Sequence, residues 1–397
     1  MTSLLAVLLI APFMAQADAT IANVATPSIS AELGASGAEL ELVIGGYLVA
    51  FAVLLITGAR LGQTHGYRRM FLAGIAVFTG ASALSGLAPT PAVLIAARVL
   101  QGAGAALMFP QTLTGIQLAF TGPARVRAIG LYAIALSAGA VSGQLLGGAL
   151  ISADLLGSGW RAIFLVNVPI GLVALVAGAR RLPADDHRAS RRIDLRGVAA
   201  LSVAVLLVVL PLVLGHADGW PTWTWVCFAA SVPALALFVA TQRGRAKPLL
   251  NLHALAPRPV AFGLAAVAAA YVALSASLFA GERSEVVLVV LLGAGGLGLG
   301  LQFSALVGHL TNAVAPRYAP DISGVSTTVM QIGGAVGAAG FGTLYLALAG
   351  SDATTAFAIV AAGLAAGSLL AFAAARVATR RPAGVRLQAW PSNTSTA

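Results

Sequence analysis

The chain has 397 residues, of which 59% are hydrophobic and only 9% are charged. A soluble domain carries about 25% charged and about 45–50% apolar residues, so this composition excludes an ordinary soluble protein. The net charge of +10 does not indicate nucleic-acid binding, because the basic residues recur between apolar segments instead of forming one patch. The single cysteine, Cys227, excludes an internal disulfide framework and a cysteine-rich metal site.

Apolar runs recur along nearly the whole chain, and about 20 apolar residues in a helix cross a hydrocarbon core of about 30 Å. The 45 glycines lie largely inside these runs, where small residues let membrane helices pack closely. The sequence therefore predicts an all-α, polytopic membrane helix bundle. Its twelve candidate spans are residues 3–25, 41–61, 70–88, 91–119, 127–152, 161–179, 197–215, 222–241, 259–280, 286–308, 322–348 and 353–376.

The distribution of arginine predicts the orientation of these spans. With a cytoplasmic N-terminus, 20 of the 23 basic residues fall in segments that face the cytoplasm, which is the positive-inside pattern. Both termini are then cytoplasmic. Lys247 is the one lysine, and the dominance of arginine indicates a GC-rich bacterial genome and hence a bacterial inner membrane. Residues 1–19 also resemble a signal peptide, but they lack its basic segment, so a retained first span is expected.

Two distant segments align without gaps at an offset of 194 residues. Parallel repeats related by an axis along the membrane normal produce such a pattern in transporters, and convergent glycine packing faces are the alternative. The matched residues are Gly102, Gly104, Leu107 and Phe109 with Gly296, Gly298, Leu301 and Phe303, and Gly130, Gly139, Gly143 and Gly148 with Gly324, Gly333, Gly337 and Gly342.

Residues 18–27, 98–104, 139–148, 159–171 and 192–197 together resemble signature motifs of the drug:proton antiporter-2 family of the major facilitator superfamily. The family consists of fourteen-spanner multidrug exporters. The resemblance runs from about residue 10 to about residue 375 and implies two pseudo-symmetric halves with two extra linker helices. Its antiporter-motif helix carries Gly139, Gly143, Gln144, Gly147 and Gly148, with Gln144 in place of the usual proline.

The loop between spans two and three departs from the family pattern. The resemblance implies a gate on the cytoplasmic side, formed by Gly58, Gly62, Gly66, Arg68 and Arg69. Gln63 replaces the acidic residue that the family has in this loop, so we expect the gate to hold the cytoplasmic side closed less firmly.

The length of the chain departs from the family pattern as well. We expect a six-helix half at residues 1–180, linker helices at 181–258, a shortened four-helix half at 259–380 and a disordered cytoplasmic tail at 381–397. The repeat predicts that counterparts of spans two and three are missing from the second half. Their loss would leave one wall of the substrate pathway open to lipid, or covered by a partner or a second copy.

Asp18 is the only one of the 13 acidic residues that lies well inside an apolar span, and Arg98 is the only basic residue of comparable depth. At 1.5 Å per residue, Asp18 lies about 22 Å from the cytoplasmic end of span one and Arg98 about 10 Å from the external end of span four, so the two can meet. An ionisable residue inside a membrane indicates function by default. Separating the pair would change the proton affinity of the carboxylate and so couple transport to protons. The alternative is a static ion pair.

Polar side chains set in apolar spans are candidates for a substrate cavity, although each could instead bond to a neighbouring helix. They are Thr20, Asn23, Tyr47, Gln101, Gln111, Tyr132, Asn167, Tyr271 and Gln331. Tryptophans at predicted outer span ends, Trp160 among them, are expected to anchor the chain at the membrane interface.

Neither a nucleotide-binding motif nor metal-ligand spacing is found, so we expect no enzymatic activity, no cofactor, no metal and no ATP coupling. The leading hypothesis is a secondary transporter that uses the proton gradient to export small lipophilic or amphipathic compounds, drugs or secondary metabolites. The alternative is a truncated, non-transporting membrane protein that acts as a sensor, a partner subunit or a decaying paralogue. The missing helices favour this alternative, whereas the intact Asp18 and Arg98 favour transport.

Overall fold

The structure, a computed structural model, describes residues 2–154, 157–185, 195–215, 220–242, 258–280, 287, 290–291 and 353–379. Its first five helices are α1 (Thr2–Leu33), α2 (Gly37–His65), α3 (Tyr67–Gly86), α4 (Pro91–Ala119) and α5 (Gly122–Ala153). A 3₁₀ turn, Gly159–Arg161, then leads into α6 (Ala162–Leu165) and α7 (Asn167–Arg181). The later helices are α8 (Leu195–Leu214), α9 (Thr222–Gln242), α10 (Arg258–Phe279) and α11 (Ala353–Thr379).

Six of the described helical segments are long and apolar enough to cross a membrane: α1 to α5 and the segment Gly159–Arg181. They confirm the first six predicted spans, and the span 91–119 coincides with α4. Helices α8 to α11 coincide closely with predicted spans seven, eight, nine and twelve. Spans ten and eleven lie almost entirely outside the described residues, as do the second copy of the repeat and the tail.

Helix α1 extends to Leu33, well past the predicted end near residue 25, because Pro27 is accommodated in its interior. A proline has no N–H to donate to the carbonyl four residues earlier. Here that carbonyl belongs to Asn23, and the hydroxyl of Thr26 donates to it at 2.9 Å. The helix therefore continues through the proline without losing that hydrogen bond.

Helix α4 is the centre of the first half and packs along both α2 and α3, while α1 packs along α5. Between α3 and α4, a Cβ on Gly104 would lie 2.6 Å from the backbone nitrogen of Phe78, and one on Gly74 would lie 2.5 Å from that of Met108. No side chain fits at either position, so glycine at both is what allows these two helices to lie in backbone contact.

The connections place six helix ends together: the starts of α1, α3 and α5 and the ends of α2, α4 and α7. Arg60, Arg68, Arg125 and Arg180 lie near these ends. We call this the basic end of the bundle. It is the end that the sequence predicts to be cytoplasmic.

The later helices pack in pairs. Helix α8 packs on α9 and also on α2, where the hydroxyl of Ser202 donates to the carbonyl of Val53 at 3.1 Å. Helix α10 packs on α11, and the hydroxyl of Ser275 donates to the carbonyl of Ala358 at 2.9 Å. Both bonds join helices that are distant in sequence, so α8 is fixed to the first half and α10 to α11.

Candidate functional site

Asp18 on α1 and Arg98 on α4 meet in the interior of the first half. The Nη1 of Arg98 donates to the Oδ2 of Asp18, and both side chains are 0% exposed. The prediction that these two residues meet is therefore confirmed. A carboxylate in a dry interior requires a positive partner and further hydrogen bonds, because the charge has lost its water.

The second carboxylate oxygen of Asp18 accepts two further hydrogen bonds. The Nε2 of Gln101, on α4, donates to Oδ1 at 2.9 Å. The Nδ2 of Asn167, the first residue of α7, donates to the same oxygen, also at 2.9 Å. Asp18 thus accepts hydrogen bonds from three side chains, those of Arg98, Gln101 and Asn167.

Arg98 is also held independently of Asp18. Its Nε donates to the carbonyl of Val43, on α2, at 3.0 Å, and its Nη1 donates to the Oε1 of Gln101 at 2.8 Å. The guanidinium lies 4.5 Å from the ring centre of Tyr47 and 5.4 Å from that of Phe164, distances at which a cation is attracted to an aromatic face. Arg98 therefore has partners on α2 and α4 besides Asp18, while its buried Nη2 has no hydrogen-bond partner among the described residues.

Residues of α2 and α3 fix the orientation of this inner set. The hydroxyl of Ser82 accepts from the Nε2 of Gln101 at 2.7 Å, and that of Ser85 donates to its Oε1 at 3.3 Å. The hydroxyl of Tyr47 donates to the carbonyl of Ala15 on α1 at 2.9 Å. Gln101 is thereby locked between Asp18, Arg98 and α3.

Taken together, these residues form a buried polar network centred on Asp18, which we call the Asp18 network. Its members come from α1, α2, α3, α4 and α7. They are Asp18, Val43, Tyr47, Ser82, Ser85, Arg98, Gln101 and Asn167. All are buried, with Asp18 1% and Asn167 5% exposed, so the carboxylate is shielded from solvent in this structure.

The candidate cavity residues fall into different environments. Tyr47, Gln101 and Asn167 belong to the Asp18 network, whereas Asn23 is exposed on α1, five residues beyond Asp18. Gln111 bonds a neighbouring helix, since its Nε2 donates to the carbonyl of Gly58 at 2.8 Å. Their contact with substrate stays a prediction.

The remaining cavity candidates are held by helix contacts where they are described. The hydroxyl of Thr20 donates to the carbonyl of Ala140 on α5 at 2.9 Å. Tyr132 is buried, with its ring edge-on to Phe109 at 6.0 Å. Tyr271 is half-buried on α10 against α11, and Gln331 lies outside the described residues.

The glycines of the antiporter-motif helix α5 form its contact with α1. A Cβ on Gly139 would lie 2.5 Å from the carbonyl oxygen of Phe13, and one on Gly143 would lie 2.3 Å from that of Ala17. Gly147 continues the same face against Ile21. Gln144 is exposed, and a Cβ on Gly148 would meet nothing within 4 Å. Three of the motif's glycines therefore position the helix that carries Asp18.

At the basic end, the predicted gate contains a carboxylate that the loop sequence did not reveal. Asp185, beyond the end of α7, accepts from the backbone nitrogens of Arg68 at 2.9 Å and Arg69 at 3.1 Å, in the first turn of α3. Gly66 joins α2 to α3 at φ +96°, and a Cβ there would lie 2.1 Å from the carboxyl carbon of Asp185. Gly66 is thus required both by its backbone angle and by the carboxylate.

The other gate residues hold α2 against α4 and α3 against α7. A Cβ on Gly58 would lie 2.0 Å from the carbonyl oxygen of Ala106, and one on Gly62 would lie 2.1 Å from the Oε1 of Gln111. The Nη2 of Arg68 donates to the carbonyl of Ala179 at 2.6 Å. Gln63 stands where the family has an acidic residue. The carboxylate that caps α3 comes from Asp185, elsewhere in the chain.

We expect Asp185→Ala to destabilise the protein by about 1 kcal/mol, because α3 loses the acceptor at its N-terminus. Asp185→Asn should lie between this variant and the wild type, since one amide oxygen can replace only one of the two carboxylate oxygens. Thermal unfolding of the purified variants measures this order. Equal melting temperatures for all three proteins would show that the cap contributes nothing.

Trp160, which we expected to anchor the chain at the membrane interface, is buried inside the protein. Its side chain is 1% exposed and packs edge-on against Phe164 at 6.0 Å. The 3₁₀ turn that contains it folds inward and closes one end of a core formed with α1, α2 and α4. Arg161 instead covers the outer side, with its guanidinium 4.5 Å from the centre of the Trp160 ring and an ion pair to Glu32.

Comparison with known proteins places this site in a family context. The family described as Major Facilitator Superfamily matches residues 8–338. The "Probable actinorhodin transporter" of Streptomyces coelicolor is 33% identical over 88% of this chain and 73% of its own length. The "Cephamycin export protein CmcT" of Amycolatopsis lactamdurans is 40% identical over 60% of this chain and 50% of its own.

The chain is shorter than these relatives. It spans about half the length of several of them, including 46% of the "Tetracenomycin C resistance and export protein" of Streptomyces glaucescens, to which it is 37% identical. The alignment with the actinorhodin protein covers 423 positions, more than the 397 residues of this chain. That relative therefore carries stretches, within the aligned region, that this chain lacks. Their assignment to two particular helices stays a prediction.

Two solved structures share the fold. The proton:xylose symporter XylE gives a TM-score of 0.60 at 12% identity and covers 94% of both chains. The human organic anion transporter MFSD10 gives a TM-score of 0.61 at 14% identity, over 94% of this chain and 99% of its own. At this level of identity the likeness concerns the fold alone, and it confirms the predicted architecture of membrane helices.

Proposed function

Because this chain belongs to the Major Facilitator Superfamily, a match that indicates a transporter and not an enzyme, we propose that it exports small lipophilic or amphipathic compounds in exchange for protons. The observation that carries the proposal is the buried Asp18–Arg98 pair, which lies inside an apolar bundle that a membrane surrounds. Burying charge in such a place is costly. The presence of the charge would be explained if Asp18 took up and released a proton in each transport cycle.

Asp18 would be the residue that takes up and releases the proton. Protonation of Oδ2 removes its acceptor role toward Arg98, whose Nη1 keeps a hydrogen bond to Gln101. Arg98 also keeps its contact with the carbonyl of Val43. Neutral Asp18 is then held to α4 only by the hydrogen bond from Gln101 to Oδ1. It would separate from α4 more easily than the ionised form, while Arg98 stays in place.

Movement of Asp18 would be transmitted to several helices at once. Its donors belong to α4 and α7, and its own helix lies against the glycine face of α5. A ligand or proton shifts a conformational equilibrium only by its different affinity for the two states. A substrate that stabilises the state with ionised Asp18, and a proton that stabilises the other state, then compete, and this competition is antiport.

The proposed substrate class rests on the names of the relatives and on one exposed polar residue near Asp18. Three relatives carry antibiotic export or antibiotic transport in their names. Asn23, exposed on α1 near Asp18, is the polar residue that we assign to substrate contact among the described candidates. Actinorhodin, cephamycin and tetracenomycin C are accordingly the first compounds to test.

Inverted membrane vesicles test the function directly. Vesicles that contain the protein should accumulate at least one of these compounds when acidified inside, and a protonophore should abolish the accumulation. Vesicles that contain the Asp18→Asn variant are the matched control. Accumulation that is independent of the proton gradient would reject proton coupling but keep export, and the lack of any transported compound would favour the non-transporting alternative.

Cysteine labelling tests the proposed orientation in the bacterial inner membrane. In a Cys227→Ala background, a cysteine at Ser190 should react with a membrane-impermeant reagent only from the cytoplasmic side. A cysteine at Ser351 should react only from outside, because the basic residues favour the cytoplasm. The opposite pattern of labelling would reverse the assignment of both termini.

A further inference from the structure

A groove of about 570 Å³ lies between the first turns of α1 and the last turns of α7, at the basic end of the bundle. Val7 of α1 and Leu172, Val173 and Val176 of α7 supply apolar walls, and Arg180 and Arg181 line the groove where α7 ends. Val173 and Val176 are 64% and 52% exposed. A membrane protein that exposes such residues presents them to acyl chains.

The length of the groove matches one leaflet of a bilayer. Leu172 and Arg180 are eight residues apart, which is about 12 Å along a helix. Half of a hydrocarbon core of about 30 Å is about 15 Å. The groove therefore runs from the helix end, where a headgroup lies, for roughly the depth that one acyl chain occupies.

The two arginines are available to bind an anion. Both are exposed, and neither has an ion-pair partner among the described residues. The neighbouring Arg68 is engaged instead, through its Nη2, with the carbonyl of Ala179. Two guanidinium groups beside an apolar groove suit a phosphate that carries an acyl chain, because guanidinium binds phosphate with paired hydrogen bonds.

We infer that this groove binds one anionic phospholipid, with an acyl chain between α1 and α7 and the phosphate on Arg180 and Arg181. A zwitterionic lipid carries a positive group that the arginines repel, so the site selects net negative headgroups. A basic residue near the surface contributes about 1 kcal/mol toward anionic lipid. Two such residues correspond to roughly a 30-fold preference.

Native mass spectrometry of the full chain in detergent tests the site with phosphatidylglycerol and phosphatidylcholine of identical acyl chains. The wild type should retain one phosphatidylglycerol with roughly a 30-fold preference. Arg180→Gln with Arg181→Gln should lose the preference, whereas Arg127→Gln, which removes an exposed arginine at the same end of the bundle but outside the groove, should keep it. Val176→Trp, which fills the groove and leaves both charges, should also lose the bound lipid.

Several outcomes would overturn the site. Equal retention of phosphatidylglycerol by the wild type and the double variant would show that Arg180 and Arg181 do not recognise the lipid. Retention by Val176→Trp would show diffuse attraction to the basic surface without a groove. Displacement of the lipid by inorganic phosphate alone would assign the arginines to a free anion. Thermal unfolding without lipid confirms that each variant is folded, and a variant that fails this control is replaced by Val173→Trp or by Arg180→Gln alone.

Discussion

Replacing Asp18 with asparagine is expected to reduce proton-driven efflux to background, because the one carboxylate of the Asp18 network is lost. The substitution also disturbs the hydrogen bonds. Oδ2 of Asp18 faces Arg98, and Oδ1 faces the amide nitrogens of Gln101 and Asn167. An asparagine side chain has one acceptor oxygen and one donor nitrogen, so in either orientation a donor points at a donor. Removing one partner of a buried ion pair destabilises a protein by about 3–5 kcal/mol.

A double variant separates the loss of coupling from the loss of stability. Asp18→Asn combined with Arg98→Gln removes both charges and gives the new amide a neutral partner, so thermal stability should recover largely. Proton-driven efflux should not recover. If the double variant is folded and still exports against a gradient with normal pH dependence, the pair is a static support and Asp18 is not the coupling residue.

Replacing Gly143 with alanine is the second change from which we expect a large effect. The added Cβ would lie 2.3 Å from the carbonyl oxygen of Ala17 and 2.2 Å from the hydroxyl of Thr20. The first of these is backbone, so α1 and α5 must separate, at a cost of about 1–3 kcal/mol. Because Ala17 precedes Asp18, the separation also shifts the carboxylate from its donors, and efflux should fall together with the melting temperature.

Gly148→Ala is the matched control for this prediction. Gly148 lies on the same helix and in the same motif, yet a Cβ there would meet nothing within 4 Å. Alanine favours a helix over glycine by about 1 kcal/mol, so stability should be unchanged or slightly higher and efflux should be retained. Equal behaviour of the two alanine variants would show that the glycine face does not position α1.

The central site was predictable from the sequence because depth in a membrane follows from counting residues. Asp18 and Arg98 were the only charges deep inside apolar spans, and each lay at a distance from its helix end that allowed contact. The limits of α4 were predictable for a similar reason, since Thr90 and Pro91 give a strong helix start. The hydroxyl of Thr90 accepts from the backbone nitrogen of Val93.

Other parts of the site depend on contacts that no local pattern records. Asn167 reaches Asp18 because the chain turns at Gly159–Arg161 before α7 begins, and the angle of that turn is not evident from composition. Asp185 caps α3 from a linker that has no periodicity. Trp160 is of a residue type that is common at membrane interfaces, but the same turn places its side chain inside the protein. Ser82 and Ser85, in contrast, were polar residues three apart in an apolar span and could have been recognised.

Every partner that the described structure gives to Asp18 lies before residue 182. The carboxylate therefore carries a complete, prearranged solvation shell within the first half, made of amide and guanidinium groups in place of water. None of these partners comes from the second half, so under the proposed function the groups that surround Asp18 can be altered separately from the helices of that half. The described first half thus contains by itself the three side chains that bond to the Asp18 carboxylate.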